Sequence, residues 1–123
     1  MTHDWHALIV EDIADNAQVV EAVLSHHGIA YTTVPSAEAA LEILGNSRPN
    51  IILIDLALPG MNGWELLKIL RETPATADLP IVAITAFHST RVADEAIKAG
   101  FDAYFPKPIN TMAFVPELER LVG

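Results

Sequence analysis

The sequence predicts an α/β fold in which helices cover both faces of an open, parallel sheet of five strands. Short apolar runs alternate five times with segments of 3.6-residue periodicity, which indicates a repeated strand–helix unit. The apolar runs are continuous, as is typical of parallel strands buried on both faces. With 123 residues, of which 51% are hydrophobic, residues 1–123 are predicted to form one domain around a single core.

Polar side chains stand at the carboxyl ends of four predicted strands. Glu11 and Asp12 follow the first strand, Asp55 closes the third, Thr85 closes the fourth, and Lys107 comes just after the fifth. Ligands of open α/β sheets bind beyond the carboxyl ends of the strands. We therefore predict that three carboxylates, a hydroxyl and an ammonium meet at one pocket. The predicted strands are His6–Val10, Tyr31–Val34, Ile51–Asp55, Ile81–Thr85 and Ala103–Phe105.

Capping residues and glycines delimit the five predicted helices. Ser36 is predicted to cap the second helix, and Gly28 and Gly100 are predicted to end the first and fourth. Helix four is alanine-rich and is expected to be weakly anchored and mobile. Pro116 removes a backbone donor, so an irregular or delayed start of helix five is expected. The predicted helices are Ala14–His27, Ala37–Leu44, Trp64–Arg71, Thr90–Ala99 and Asn110–Leu121.

The lengths of the units favour a doubly wound sheet with strand order 2-1-3-4-5, the flavodoxin-like (βα)5 arrangement, because crossovers between parallel strands are right-handed. This order places strands one, three, four and five side by side, and these are the strands with polar ends. Residues 56–63 contain one proline and two glycines, so a defined backbone path is expected before helix three.

Composition limits the classes of partner. Sixteen acidic against seven basic residues give a net charge of -9, which argues against direct binding of nucleic acid or an anionic membrane. The chain has no cysteine, no signal-like start and no apolar stretch that approaches a membrane span. A cytoplasmic protein whose partners are proteins or cations is expected.

The predicted acidic cluster requires a counter-charge. Glu11, Asp12 and Asp55 would repel one another by roughly 4 kcal/mol per pair at a separation of a few ångströms and an effective dielectric near 20. All-oxygen ligation suits Mg²⁺, or Mn²⁺, rather than Zn²⁺. With Lys107 and Thr85 nearby, a carboxylate is equipped to attack phosphorus. The predicted cofactor is Mg²⁺, and the predicted product is an aspartyl phosphate.

Five motifs follow one another along the chain. In order and spacing they resemble the receiver domain of two-component response regulators, and the resemblance covers essentially the whole chain. The motifs are Leu8-Ile9-Val10-Glu11-Asp12, Asp55-Leu56-Ala57-Leu58-Pro59-Gly60-Met61-Asn62-Gly63, Thr85-Ala86, Gly100-Phe101-Asp102-Ala103-Tyr104 and Lys107-Pro108.

The resemblance implies a role for each residue of the acidic cluster. Asp55 would be the phosphoacceptor. Asp12, Asp55 and the backbone carbonyl of Ala57 would bind Mg²⁺ directly, and Glu11 would bind it through water. The domain would catalyse its own phosphorylation and dephosphorylation, although its main role would be signalling.

The resemblance also implies a switch. Thr85 and Lys107 would contact the phosphoryl group, with a cis Lys107-Pro108 peptide. Thr85 would then move inward and Tyr104 would rotate, which changes the face formed by helix four, strand five and helix five. The alternative is that Tyr104 is an ordinary half-buried strand residue. Ala57 and Phe87 occupy positions that tune dephosphorylation, and Phe87 is hypothesised to screen the acyl phosphate from water.

The implied partners are a sensor histidine kinase or histidine phosphotransfer protein as donor and a downstream protein as target. The donor is expected to dock over helix one, at Ile13, Ala14, Ala17 and Gln18. No output domain is expected in this chain, so a stand-alone regulator and a receiver from a larger protein both remain open.

Two other functions use a similar fold or nucleophile. One is a pseudo-receiver that only binds proteins and is not phosphorylated. The other is a phosphatase of the haloacid dehalogenase type, which needs a second acid two residues after the nucleophile, where this chain has Ala57.

Overall fold

Five parallel strands alternate with five helices in the computed structural model, which describes residues 4–86 and 89–122. Within these ranges no helix combines the length and apolarity needed to cross a membrane. The strands are β1 (His6–Val10), β2 (Ala30–Val34), β3 (Ile51–Asp55), β4 (Ile81–Thr85) and β5 (Ala103–Pro106). The helices are α1 (Ala14–His26), α2 (Ala37–Leu44), α3 (Gly63–Glu72), α4 (Thr90–Ala99) and α5 (Thr111–Val122).

The sheet has the order β2-β1-β3-β4-β5, which confirms the doubly wound arrangement predicted from the sequence. The register pairs Val10 with Ile54, Asp55 with Ile84, and Thr85 with Pro106. Because all strands run in the same direction, these pairings bring the carboxyl ends of β1, β3, β4 and β5 to one edge of the sheet. That edge holds the polar residues.

Two layers of buried apolar side chains lie on opposite faces of the sheet. Alternate residues of a strand point to opposite faces. Leu8 and Val10 accordingly pack with residues of α2 and α3, whereas Ala7 and Ile9 pack with residues of α1 and α5. Every residue of β3 and β4 is buried, which explains why their sequences are continuous apolar runs.

The expected irregular or delayed start of α5 is wrong, because α5 is regular from Thr111. The side-chain oxygen of Asn110 accepts hydrogen bonds from the backbone N–H groups of Met112 (3.0 Å) and Ala113 (3.3 Å). These bonds serve the donors that lack an acceptor at a helix start. Pro116 is exposed, so water can reach the carbonyl that lacks its N–H donor.

Replacing Pro116 with alanine should stabilise the protein. Pro116 is the sixth residue of α5, where proline removes a helical hydrogen bond, so we expect Pro116→Ala to raise the free energy of unfolding by about 1–2 kcal/mol. Urea denaturation measures this change. Pro74→Ala, in an exposed turn, is the control and should change it by less than about 0.5 kcal/mol. Equal effects of the two substitutions would contradict the explanation.

Candidate functional site

Three carboxylates converge at the polar edge of the sheet. Glu11 follows β1 and Asp55 ends β3, and each is 6% exposed, whereas Asp12 is exposed to solvent. One carboxylate oxygen from each of the three lies within 4.8 Å of the others. The structure thus brings together the three acids that the sequence placed at one pocket, and they could hold a metal ion.

Lys107 lies between two of these acids. Its Nζ is 2.5 Å from Oε1 of Glu11 and 3.0 Å from Oδ2 of Asp55. Its backbone N–H donates to the carbonyl of Thr85 (2.8 Å), so the end of β4 fixes where the lysine leaves the sheet. The Lys107-Pro108 peptide is cis, as the resemblance implied. The ammonium therefore joins the ends of β1 and β3 to the loop after β5.

The charges at this site do not balance, since three carboxylates face one ammonium. Burial is the main cause that raises the pKa of Glu11 from 4.5 to about 7, and the nearby Asp55 carboxylate adds to it while Lys107 opposes it. Burial lowers the pKa of Lys107, but its hydrogen bonds to Glu11 and Asp55 outweigh that effect and raise the pKa overall. The site therefore keeps its ammonium and has surplus negative charge. These oxygen donors fit a hard divalent cation.

The carboxylate of Asp55 is held in one orientation. Its Oδ1 accepts a hydrogen bond from the backbone N–H of Ala57 (2.9 Å), and its Oδ2 faces Lys107. The backbone just beyond Asp55 is fixed too, because Leu56 donates to the carbonyl of Ile84 (3.0 Å). An oriented carboxylate between a cation and a backbone donor is suited to act as a nucleophile.

Gly63 fixes the loop that follows Asp55. The sequence predicted a defined path for this loop but not the close contact that requires a glycine here. A Cβ at Gly63 would lie 2.7 Å from the carbonyl oxygen of Asp55 and 2.8 Å from the Cα of Leu56. The start of α3 can therefore touch the end of β3 only if this residue is glycine. Asn62 and Glu65 form a capping box at the same place, with bonds of 2.9 and 3.0 Å.

Thr85 and Tyr104 occupy neighbouring strands. Thr85 is 1% exposed at the end of β4, and Tyr104 is half-buried on β5. Burial raises the pKa of Tyr104, and a backbone hydrogen bond with Ser89 opposes this only in part. Tyr104 lines a cavity of about 500 Å³ between α4, β5 and α5, together with Ile97. Phe87, predicted to screen the site from water, lies outside the described residues.

The surface of α1 differs at one position from the predicted docking surface. Ile13 is 51% exposed, and Ala14 and Gln18 are also exposed. Ala17 is only 4% exposed, because it belongs to the stripe of α1 that packs on the sheet with Val20 and Leu24. Ala17 is therefore too buried to belong to the docking surface.

An apolar groove of about 350 Å³ lies between α1 and the β5–α5 loop. Val19, which is 49% exposed, forms one wall, and Pro108 lies opposite. Lys107 also lines the groove, so the groove opens onto the acidic site. The sequence pattern did not predict that Val19 and Pro108 line a groove, although an exposed valine on an amphipathic helix is a detectable signal.

A model of the response regulator receiver domain family matches residues 7–119. An uncharacterized 14.6 kDa protein from the sodA1 3′ region of Leptolyngbya boryana is 34% identical over 115 residues, which covers 94% of this chain and 85% of that protein. The response regulator PleD of Caulobacter vibrioides is 29% identical over 114 residues, covering 93% of this chain. The chain spans only 25% of the length of PleD.

Solved structures share the fold closely. A structure from Chloroflexus aurantiacus J-10-fl has a TM-score of 0.92 and 29% identity, with 98% of each chain covered. The receiver domain of the sensor histidine kinase PA1611 from Pseudomonas aeruginosa PAO1 has a TM-score of 0.88 and 28% identity, covering 98% of this chain and 99% of its own. That structure holds a magnesium ion coordinated in its active site cleft.

The raised pKa of Glu11 should make the metal-free protein lose stability as the pH rises. Between 4.5 and about 7 the folded state binds a proton on Glu11 that the unfolded state has released. The free energy of unfolding should therefore fall across this interval, by up to about 3 kcal/mol relative to Glu11→Gln. Urea denaturation in EDTA from pH 4.5 to 8 measures the difference. A difference that is constant or that rises with pH would contradict the assignment.

Proposed function

Because this chain belongs to the response regulator receiver family, we propose that Asp55 accepts a phosphoryl group in a Mg²⁺-dependent reaction. The single observation that carries the proposal is the setting of this carboxylate. Asp55 is buried, oriented by the N–H of Ala57 and by Lys107, and flanked by two further acids. Two acids already contact Lys107, so a structural role alone would not require the third acid of the cluster, Asp12.

Glu11, Asp12, Asp55 and the carbonyl of Ala57 would hold Mg²⁺. All four offer oxygen, and the exposure of Asp12 lets the ion keep several of its waters. When bound, Mg²⁺ supplies positive charge that stabilises the oxygens of the transferring phosphoryl group. The magnesium ion in the PA1611 receiver supports the choice of metal.

The chemistry proposed for the chain's own residues is an in-line displacement. A carboxylate oxygen of Asp55 forms a bond to phosphorus while the P–N bond to the donor imidazole breaks, and the imidazole takes a proton from water. The Lys107 ammonium neutralises charge on the phosphoryl oxygens, and the Thr85 hydroxyl donates a hydrogen bond to one of them. The acyl phosphate that results is the signalling state.

The proposed donor is a sensor histidine kinase or a histidine phosphotransfer protein, docked over α1. Ile13 and Val19 are large apolar side chains that are about half exposed. Val19 and Pro108 border the groove that reaches Lys107, so a helix that carries a phosphohistidine could lie there with the phosphorus near Asp55. Gln18 and Ala14 complete the surface.

The proposed output is a change on the face formed by α4, β5 and α5, read by a downstream protein target. Thr85 would follow the phosphoryl group, and Tyr104 would move into the cavity beside Ile97. Residues 1–123 would act as one receiver module, and the proposed location is the cytoplasm. A pseudo-receiver without phosphorylation is the alternative that the labelling experiment below decides.

Incubation with acetyl phosphate and Mg²⁺ should add a single phosphoryl group to the protein. Intact mass spectrometry detects the adduct. We expect none in EDTA and none for Asp55→Asn, because the nucleophile is lost while the size of the side chain is kept. Asp94→Asn, which changes an exposed carboxylate on α4, is the matched control and should label as the wild type does. Labelling of Asp55→Asn, or none of the wild type, would refute the proposal.

Substitutions on α1 should separate docking from chemistry. Val19→Asp and Ile13→Asp should slow transfer from a phosphorylated histidine phosphotransfer protein about tenfold, because each places a charge in an apolar contact. Labelling by acetyl phosphate should stay within about twofold of the wild type. Ile97→Asp is the matched control, since Ile97 and Ile13 are both 51% exposed. Equal loss in both assays, or an equal effect of the control, would count against docking over α1.

A further inference from the structure

Arg71 uses all five of its N–H donors at the edge of the sheet opposite the acidic site. Its Nε and Nη2 donate to the carbonyl of Gly100 (3.1 and 2.8 Å), and Nη2 also donates to Oδ2 of Asp102 (2.8 Å). Its Nη1 donates to the carbonyls of Ala77 (3.0 Å) and Leu79 (2.7 Å). A guanidinium has five N–H groups in a rigid plane, so this side chain is held without rotational freedom.

The contacts of Arg71 join three parts of the chain. Arg71 lies at the end of α3, Leu79 precedes β4, and Gly100 is the residue that ends α4. Oδ2 of Asp102 also accepts from the backbone N–H of Ile81 (2.8 Å), so β4 is bonded to the same carboxylate. We call Arg71, Gly100 and Asp102 the Arg71 network. It fixes the turn that connects α4 to β5.

The two ends of α4 are anchored very differently. At the C-terminal end, Ala96 is fully buried, and Phe101 is 3% exposed with its ring against Trp64 at 5.8 Å. At the N-terminal end, the Ser89 side chain caps the N–H of Val92 within the same turn (3.1 Å), and one backbone hydrogen bond joins Ser89 to Tyr104 of β5. Val92 is half-buried, and no residue before Ala96 in α4 is fully buried. The helix is therefore held more firmly at the end that lies away from Thr85, where the five bonds of Arg71 and the buried Ala96 and Phe101 are found.

We propose that the Arg71 network is a fixed pivot for α4. By holding the C-terminal end, the network confines the conformational change of α4 to the N-terminal half of the helix. The phosphorylation part of this inference rests on the proposed function. A partner that reads the α4 face would then sense residues 90–95, next to the end of β4, while residues 97–101 keep their place. Arg71 acts here as a positioning residue for the output face and not in the chemistry.

Amide hydrogen exchange followed by NMR tests the pivot in the unphosphorylated protein. Arg71→Lys keeps the positive charge but cannot make five bonds in one plane. We expect it to speed exchange at residues 97–101 about tenfold relative to the amides of β3, which report global opening. Normalising to β3 separates this effect from general destabilisation.

Arg48→Lys is the matched control. Arg48 lies near the same edge, donates to the carbonyl of Ala75 and pairs with Asp78 at 3.2 Å, but these contacts do not involve α4. Its replacement should leave exchange at 97–101 within about twofold of the wild type. Equal exchange at 97–101 in the two variants would overturn the proposal.

Amide exchange measured after treatment with acetyl phosphate and Mg²⁺ tests whether the conformational change of α4 is confined to its N-terminal half. With the adduct verified by mass, exchange in the wild type should change at residues 90–95 and stay within about twofold at 97–101. In Arg71→Lys the change should extend to Phe101. A uniform change along α4 in the wild type, or none in α4 despite a full adduct, would overturn the pivot. If no adduct forms, the proposed function fails, and the unphosphorylated comparison still decides the role of Arg71.

Discussion

The contact of the Lys107 ammonium with the carboxylates of Glu11 and Asp55 is the interaction on which the rest of the site depends. Lys107 lies 96 positions after Glu11, which follows β1, and 52 positions after Asp55, which ends β3. Two buried carboxylates side by side would be strongly destabilising without a cation between them. The parallel sheet makes the contact possible, because it brings strand ends from distant parts of the chain to one edge.

One ammonium does not neutralise three carboxylates, and this imbalance links the structure to function. The site can gain a proton on Glu11, whose pKa is raised to about 7, or bind a divalent cation. The same positive charges that stabilise the acids would stabilise the oxygens of a phosphoryl group on Asp55. A negatively charged group such as a phosphoryl group would therefore be accepted in the pocket only together with a metal ion.

The sequence predicted the sheet and the acidic site well, because both depend on local pattern. Continuous apolar runs define the strands, and the residue that ends each run, such as Asp55, must lie at the shared edge. The failures involve contacts between distant segments or single caps. Asn110 starts α5 regularly, Ala17 faces the core, Gly63 touches β3, and Arg71 bonds to the turn after α4. Of these, only the burial of Ala17, which shares an apolar stripe with Val20 and Leu24, could be read from hydrophobic periodicity.

The most direct test of the surplus negative charge is the effect of Mg²⁺ on stability. Urea denaturation at pH 8, with and without Mg²⁺, should show that the ion raises the free energy of unfolding, by about 1.4 kcal/mol at ten times its dissociation constant. Asp12→Asn removes an exposed carboxylate of the cluster without leaving a buried cavity, and it should abolish most of this gain. No stabilisation of the wild type, or equal stabilisation of the variant, would contradict the account.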